Sequence, residues 1–396
     1  MLYRLFARII RELPPRILLK AGYLWVYKGN RAMRAFRRRR RRGEIFPPFL
    51  FLALTNACNL RCRGCWIESH GAPDQLSFED AESIIRAGKS QESYFFTLLG
   101  GEPFLWPHLW KLLESHPECY FQIITNGLFL DDTTCARMRS LGNITPLVSL
   151  DGLEHTNDQR RGEGTYARAV EGLKALKRAR LLFGVATTIT AANVDQVLCD
   201  AYVQRMIDSG AMYLWYYVFR PVGADPSPEL AVSGDKLVEV RRKLLELRRK
   251  HPIIIIDTYW DAEGNAVCPA AHGLGYHIGP KGSIEPCPPL SFACENIRDH
   301  NGQLVETINR SRLLREFGTF AHERTRGCVI LEHPHELADF LEAQGAVDNS
   351  GRDAYAELRS ATPRPSHHQP GKEIPENYWV YRFLKRRLFF GMGAYA

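Results

Sequence analysis

From about residue 47 to residue 219, short apolar runs alternate with longer stretches of helical periodicity. Pro48 to Leu54 reads as a strand, as do Tyr94–Leu99, Tyr120–Ile124, Thr145–Leu150, Phe183–Ile189 and Tyr213–Phe219. Runs of this length, separated by helical segments and turn residues, predict buried parallel strands in an α/β domain. Ser77, with Asp80 three residues on, marks one helix start as a variant capping box. Most of the strands end in polar or glycine-rich residues. The first runs into Thr55–Trp66, the second into Gly100-Gly101-Glu102-Pro103 and the third into Thr125-Asn126-Gly127; the fourth ends at Asp151-Gly152 and the sixth at Arg220-Pro221-Val222-Gly223. Barrel-like sheets build their sites at the strand C-termini. The pattern therefore predicts a partial (β/α)6 TIM-like barrel and the end of it where chemistry sits.

Ahead of the barrel, Leu2, Leu5, Phe6, Ile9 and Ile10 recur at helical spacing, with Arg4, Arg8 and Arg11 on the other side and Pro14-Pro15 as a stop. A second apolar and basic stretch, Ile17 to Tyr27, contains Lys20 and Trp25, and Phe36 is followed by the six arginines Arg37 to Arg42. Such a segment suits the headgroup region of an anionic membrane, with Trp and Tyr at the interface. A helical extension packed on the barrel is the competing reading, and nucleic acid, a third, is not expected as a partner. The C-terminal stretch Asn377 to Phe390 mixes aromatics with four cations and reads either as a core-docking helix or as a second interfacial anchor. Between them, Thr362 to Gly371 is turn-rich, and its His367-His368 pair reads as solvated rather than metal-binding.

Composition changes this picture in one respect. The 396 residues suffice for a barrel of roughly 200–250 residues plus a smaller module. Hydrophobic content of 45% and charged content of 24% are ordinary. Net charge is +8, yet residues 1–42 carry fourteen Lys/Arg against Glu12 alone, which leaves the rest of the chain at −5. The basic character belongs to the extension. No secretory signal is visible and no apolar run approaches about 18 residues. A cytoplasmic protein is expected, with peripheral attachment to the inner membrane face as the variant. Ten cysteines in a reducing compartment then point to metal-bound thiols rather than disulfides.

Three of those cysteines, Cys58, Cys62 and Cys65, stand in C-x3-C-x2-C spacing directly after the first strand. Three thiolates on one loop hold three irons of a cubane and leave the fourth without a protein ligand, whereas most cubanes take four cysteines. Zinc would want a fourth protein ligand, and His70 is poorly spaced for it. The loop, CNLRCRGC, resembles the signature of the radical S-adenosylmethionine (radical SAM) superfamily. It departs in having Gly64, not an aromatic, before the third cysteine. The resemblance implies a [4Fe–4S] cluster whose open iron chelates S-adenosylmethionine (SAM), with the cofactor carrying the hard chemistry, and an electron donor such as flavodoxin or ferredoxin.

Further motifs extend the resemblance over about residues 48–330. Gly100-Gly101-Glu102-Pro103 is similar to the family's GGEP turn at the SAM methionyl amine. Ser149-Leu150-Asp151-Gly152, followed by Asp158, Arg160, Arg161 and Gly162, resembles the S-x-D-G…D-x-x-R-G pattern; it implies SAM contacts from Ser149 and Asp151, with turn formation as the structural alternative. Asn126 either contacts the cofactor or occupies a left-handed turn. Cys268, separated from Gly282 by thirteen residues, and Cys287, separated from Gly282 by four, resemble the opening of a SPASM or twitch auxiliary-cluster module. Gly279 to Gly282 reads as the hairpin turn joining them. A second [4Fe–4S] cluster on Cys268, Cys287 and Cys328 is implied, with Cys294 as fourth ligand or bystander. Cys119, Cys135 and Cys199 read as core thiols. The expected organisation is 1–46 extension, 47–250 barrel, 251–335 auxiliary module and 336–396 tail. The expected function is a radical SAM enzyme acting on an unactivated carbon of a lipid or isoprenoid at the membrane surface; the alternative is a peptide or protein maturase.

Overall fold

The computed structural model describes residues 2–67, 72–257 and 259–387, with Arg387 described by its backbone alone. All six expected strands form: β1 (Phe49–Thr55), β2 (Phe95–Gly100), β3 (Tyr120–Thr125), β4 (Ile144–Ser149), β5 (Gly184–Ile189) and β6 (Tyr213–Val218). Each pairs in parallel with the next. The sheet continues past both expected edges. A short β7 (Ile254–Ile256) adds beyond β6, and β8 (Gly275–Ile278) pairs in parallel with β1. After it, β9 (Ile284–Glu285) folds back antiparallel. The order β7-β6-β5-β4-β3-β2-β1-β8-β9 leaves β7 and β9 as edges, so the barrel is open. The segment carrying the second cysteine group thus grows out of the same sheet, on the β1 side.

Alternation along each strand divides the burial between two cores. Leu50, Leu52 and Leu54 join Phe96, Leu98, Phe121 and Ile123 in the larger one. Phe49, Phe95, Tyr120 and Tyr213, each the first residue of its strand, join Leu13, Leu24, Met33 and Phe36 of the N-terminal extension. The extension is therefore the floor of the barrel. It consists of α1 (Leu2–Glu12), then α2 (Pro15–Ala21), running through a π-helical stretch, Gly22–Lys28, into α3 (Gly29–Arg41).

The interfacial reading of Trp25 is corrected here: its ring meets Tyr120 edge-on at 5.2 Å and Phe95 at 6.5 Å. Several expected headgroup cations also face inward. Arg8 is buried and donates to the carbonyls of Ala211 at 2.8 Å, Ile207 at 3.2 Å and Pro252 at 3.3 Å. Lys20 donates to Leu141 O at 2.5 Å, Arg16 to Ser140 O at 3.1 Å and Lys28 to Glu118 O at 2.7 Å; Arg39 donates to Phe46 O at 3.3 Å and to Gln91 O. Several of these carbonyls end helices, where unpaired C=O groups and the negative pole of the dipole favour a cation. Outward, Tyr3, Phe6, Ile10, Leu19, Tyr23, Val26 and Tyr27 remain exposed. No helix among the described residues is long and apolar enough to cross a membrane.

The C-terminal helix, Trp379–Arg387, docks as the core-docking reading expected. Tyr381 is buried and its hydroxyl accepts from Ile255 N at 2.8 Å, while Lys385 donates to the buried Asp257 at 3.0 Å. Leu388 to Phe390 lie outside the described residues, as does His70. His367 is buried rather than solvated, paired with Val267 O at 3.3 Å, its ring 4.8 Å from that of Tyr259 and tilted 55° to it. Cys119 and Cys135 are buried core thiols, and half-buried Cys199 donates to Gln196 O at 3.1 Å.

Candidate active site

The cysteine loop leaves β1 and is clamped at once by the loops that follow β2 and β3. Gly101 N donates to Thr55 O at 2.7 Å, and Glu102 N to Ala57 O at 2.8 Å. A Cβ on Gly100 would fall on the Thr55 carbonyl, and one on Gly101 on the Ala57 backbone. The two glycines are thus demanded by the cysteine loop's own backbone, and the close approach expected toward a ligand is made first to that loop. Glu102 is fully buried. Its carboxylate accepts from Asn126 N at 2.8 Å, Thr125 Oγ1 at 2.9 Å and Phe104 N at 3.3 Å. Burial pushes its pKa up to about 7 against those hydrogen bonds. Asn126 in turn donates through Nδ2 to Asn59 Oδ1, inside the cysteine loop, at 2.8 Å. The left-handed position of this turn belongs to Gly127, at φ 83°. Pro103, itself buried, opens a 3-10 turn, Pro103–Leu105, behind them.

The fourth strand supplies a second clamp. Ser149 ends β4, half-buried, and Asp151 lies two residues on with no exposed surface. Asp151 Oδ2 accepts from Arg161 Nε at 2.7 Å and from Arg160, and Oδ1 from Thr188 N at 2.8 Å. Burial alone would raise this carboxyl, yet Arg161 and Arg160 overcome it and hold it down at about 2. The carboxylate is fully committed to these partners. Arg161 then reaches the first cysteine group, its Nη1 lying 3.9 Å from Cys62 Sγ. Sequence left two adjacent arginines open, and the structure gives them different places: Arg161 beside Cys62, Arg160 over the Phe219 ring at 5.7 Å. Arg63 N donates to Arg160 O at 2.8 Å, tying the cysteine loop to the same segment. Asp158 caps the helix Thr165–Arg178 by accepting from Gly164 N and Tyr166 N, both at 2.8 Å. A cleft of about 360 Å³ opens here among Arg63, Asp151, Arg160, Asn193 and Leu230.

The donors around the first cysteine group fit a thiolate-bound cluster. Leu60 N–H points at Cys58 Sγ at 3.4 Å, and the Arg161 guanidinium stands by Cys62. As residues, Cys58 and Cys62 are half-buried and Cys65 is exposed, on the loop that leaves the C-terminal end of β1. Without iron, burial holds the Cys58 thiol up at about 11, so iron must displace its proton. Among the described residues, no three His, Cys, Asp or Glu side chains converge on a single ion's position.

Three of the second group's four cysteines share one core. Cys268, Cys287 and Cys328 pack on one core with Val222, Leu290 and Phe292. They lie close enough for the charge of one to act on the others. The β8–β9 hairpin turns at Gly279 to Gly282, with Gly282 at φ 89°, and so carries Cys287 back toward Cys268. Cys294 stands apart: exposed, outside that core, with Sγ donating to Gln344 O at 3.4 Å. Residues that sequence reasoning missed are Asn59, Phe219 and Arg220. Their signal was place alone, one between the cysteines and two at the end of an apolar barrel strand.

Residues 52–193 match the family description "Radical SAM superfamily". The chain is 29% identical over 252 residues to the sporulation killing factor maturation protein SkfB of Bacillus subtilis, covering 60% of this chain and 59% of that protein. It is 23% identical over 341 residues to the AdoMet-dependent heme synthase of Oleidesulfovibrio alaskensis, covering 78% of this chain and 86% of that one. The chain therefore spans less than two thirds of the first of these relatives and most of the second. Among solved structures, Streptococcus suis SuiB bound to precursor peptide SuiA shares the fold at TM-score 0.61 and 17% identity, over 75% of this chain and 72% of that one. Three cysteines at a strand C-terminus, a glycine turn locked onto their loop and a matching domain over residues 52–193 agree. Residues 52–193 are thus a radical SAM domain, of the superfamily whose members use a [4Fe–4S] cluster and SAM, and a second group of cysteines follows it in the chain.

Proposed function

We propose that the protein is a radical SAM maturase acting on a peptide or protein substrate. Cys58, Cys62 and Cys65 would hold the cluster, and Gly100, Gly101, Glu102, Pro103, Asn126, Ser149 and Asp151 would build the SAM site around it. That group, once bound and reduced by one electron, supplies a 5′-deoxyadenosyl radical able to take hydrogen from an unactivated carbon. The chain's own part is to orient and to shield. Glu102 and Asn126 hold two strand-end loops on the cysteine loop. Asp151 fixes Arg161 beside Cys62, where a guanidinium suits a carboxylate or a thiolate.

The observation that carries the peptide reading is the second group, Cys268, Cys287 and Cys328, which share one core with Val222, just past the end of β6. The likeness to SkfB, a maturation protein, supports the same choice. The lipid reading drew on the basic extension, which lies under the barrel at the strand N-termini, away from the cysteines. Its exposed stripe supports a separate, second reading that concerns location: peripheral docking on an anionic bilayer.

The test of function is anaerobic reconstitution and reduction with dithionite in the presence of SAM. A short peptide encoded beside the gene is expected to raise 5′-deoxyadenosine several-fold and to change mass. Stimulation by a tetrapyrrole or a lipid extract, and not by peptide, would replace the substrate class. Reductive SAM cleavage by a C58A/C62A/C65A variant would overturn the chemistry itself.

A further inference from the structure

The end of β6 touches both cysteine groups. Phe219 lies against the first: a Cβ on Gly64 would come within 2.5 Å of its ring. Gly223 does so too, at φ 101°; a Cβ there would stand 3.0 Å from Cys65 O and from Trp66 Cα. Between them, Val222 and Arg220 serve the second group. Val222 packs on the core that holds Cys268, Cys287 and Cys328. Arg220, half-buried, lines one small cavity with Cys328, Ser366 and His367, and its guanidinium stands 5.1 Å over the Tyr259 ring. Its charge acts on Cys328, Cys287 and Cys268. A cation that shares a small cavity with Cys328 is costly to bury unless negative charge arrives to meet it.

We infer that Arg220 is the fixed counter-charge of the auxiliary cluster and raises that cluster's reduction potential. The inference rests on the reading that Cys268, Cys287 and Cys328 bind a [4Fe–4S] cluster. Thiolate ligands make such a cluster anionic, and reduction adds one more negative charge. A guanidinium in a partly buried setting stabilises the reduced form more than the oxidised one. Net charge and hydrogen bonds to sulfur are among the factors that set iron–sulfur potentials. Arginine keeps its proton throughout the accessible pH range, so the bias does not titrate away. Arg220 is thus a positioning residue that acts on the cluster's electronics. Its neighbours Phe219 and Gly223 place this charge one residue from the SAM-binding end of the molecule.

The test uses the full chain carrying C58A/C62A/C65A, so that only the second cluster remains. Electron paramagnetic resonance follows a titration with dithionite, which gives one electron to the oxidised cluster and ends as sulfite; no bond to iron is made or broken. The parent is expected to hold iron, and R220Q to keep it with a midpoint shifted to more negative potential. R220K, retaining the charge, should recover most of the shift. An unchanged midpoint in iron-loaded R220Q would overturn the inference, as would an R220K shift equal to that of R220Q. Loss of iron from R220Q but not R220K would support it, and loss from both would overturn it by making Arg220 structural. A parent without iron would remove the cluster reading, and the inference with it.

Discussion

Two buried carboxylates hold the candidate site, and their environments push them in opposite directions. Glu102 is surrounded by neutral donors, so burial raises it to about 7, and charging it costs stability as pH climbs from its ordinary 4.5 through that value. Asp151 is buried too, but two guanidinium groups hold it down at about 2. Its contribution is therefore complete above the ordinary 3.8 and is lost as pH falls toward about 2. Removing the charge should leave two arginines facing a neutral amide. D151N is expected to lose roughly 3–5 kcal/mol of stability at neutral pH, the scale for breaking a buried ion pair. Urea unfolding at pH 7 and at pH 3 checks it, with the gap to the parent narrower at the lower pH. Equal stability at pH 7 would show that the arginines find other partners.

At the scale of elements, strand ends and hairpins decide which cysteines meet. Cys287 follows β9 and returns toward Cys268, and Cys328 lies buried on the same core, where Ser366 Oγ accepts from its N–H at 3.0 Å. Cys294 lies beyond β9 at the exposed end of the bridge between Phe292–Ala293 and Val347–Asp348. In the C58A/C62A/C65A background, C294A should keep about four irons per chain, and C268A, C287A or C328A should lose most of them. Iron lost on changing Cys294 would mean that loading the cluster redraws this segment. The extension's helices show the same logic. Their periodicity is amphipathic, yet α1 buries Arg8 and leaves Phe6 and Ile10 outside.

For the whole molecule, the extension and the site occupy opposite ends of the barrel. Leu13, Leu24, Met33 and Phe36 are buried in the floor, and each such side chain contributes on the order of 1.5–3 kcal/mol. Together they approach the stability of a whole domain, about 5–15 kcal/mol. Deleting residues 1–42 is accordingly expected to give an insoluble or unfolded chain, contrary to what a detachable tail would show. The membrane reading needs a gentler variant. Replacing Tyr3, Phe6 and Ile10 by serine touches exposed side chains, each expected to change stability by within about 0.5 kcal/mol. The parent should float with anionic vesicles at low salt, and the triple variant should not. Parent protein that stays with the dense fraction would end the membrane reading, and the substrate assignment would stand unchanged.

Local chemistry made much of this protein legible in its sequence. Apolar runs set the six barrel strands, because strand burial is a matter of nearest-neighbour pattern. The C-x3-C-x2-C spacing sits within eight residues, so the first cysteine group needed no fold to bring it together. Long-range placement was a different matter. Sequence could not say that Asp151 spends its carboxylate on Arg160 and Arg161, or that Cys294 stands apart. It could not tell that cations of the basic extension, Arg16 and Lys20 among them, cap helix ends beneath a barrel. Those outcomes depend on which surfaces face one another once the sheet has curved. A cation near a carbonyl and a cation near a lipid phosphate have the same spacing along the chain, and only the packed structure distinguishes them.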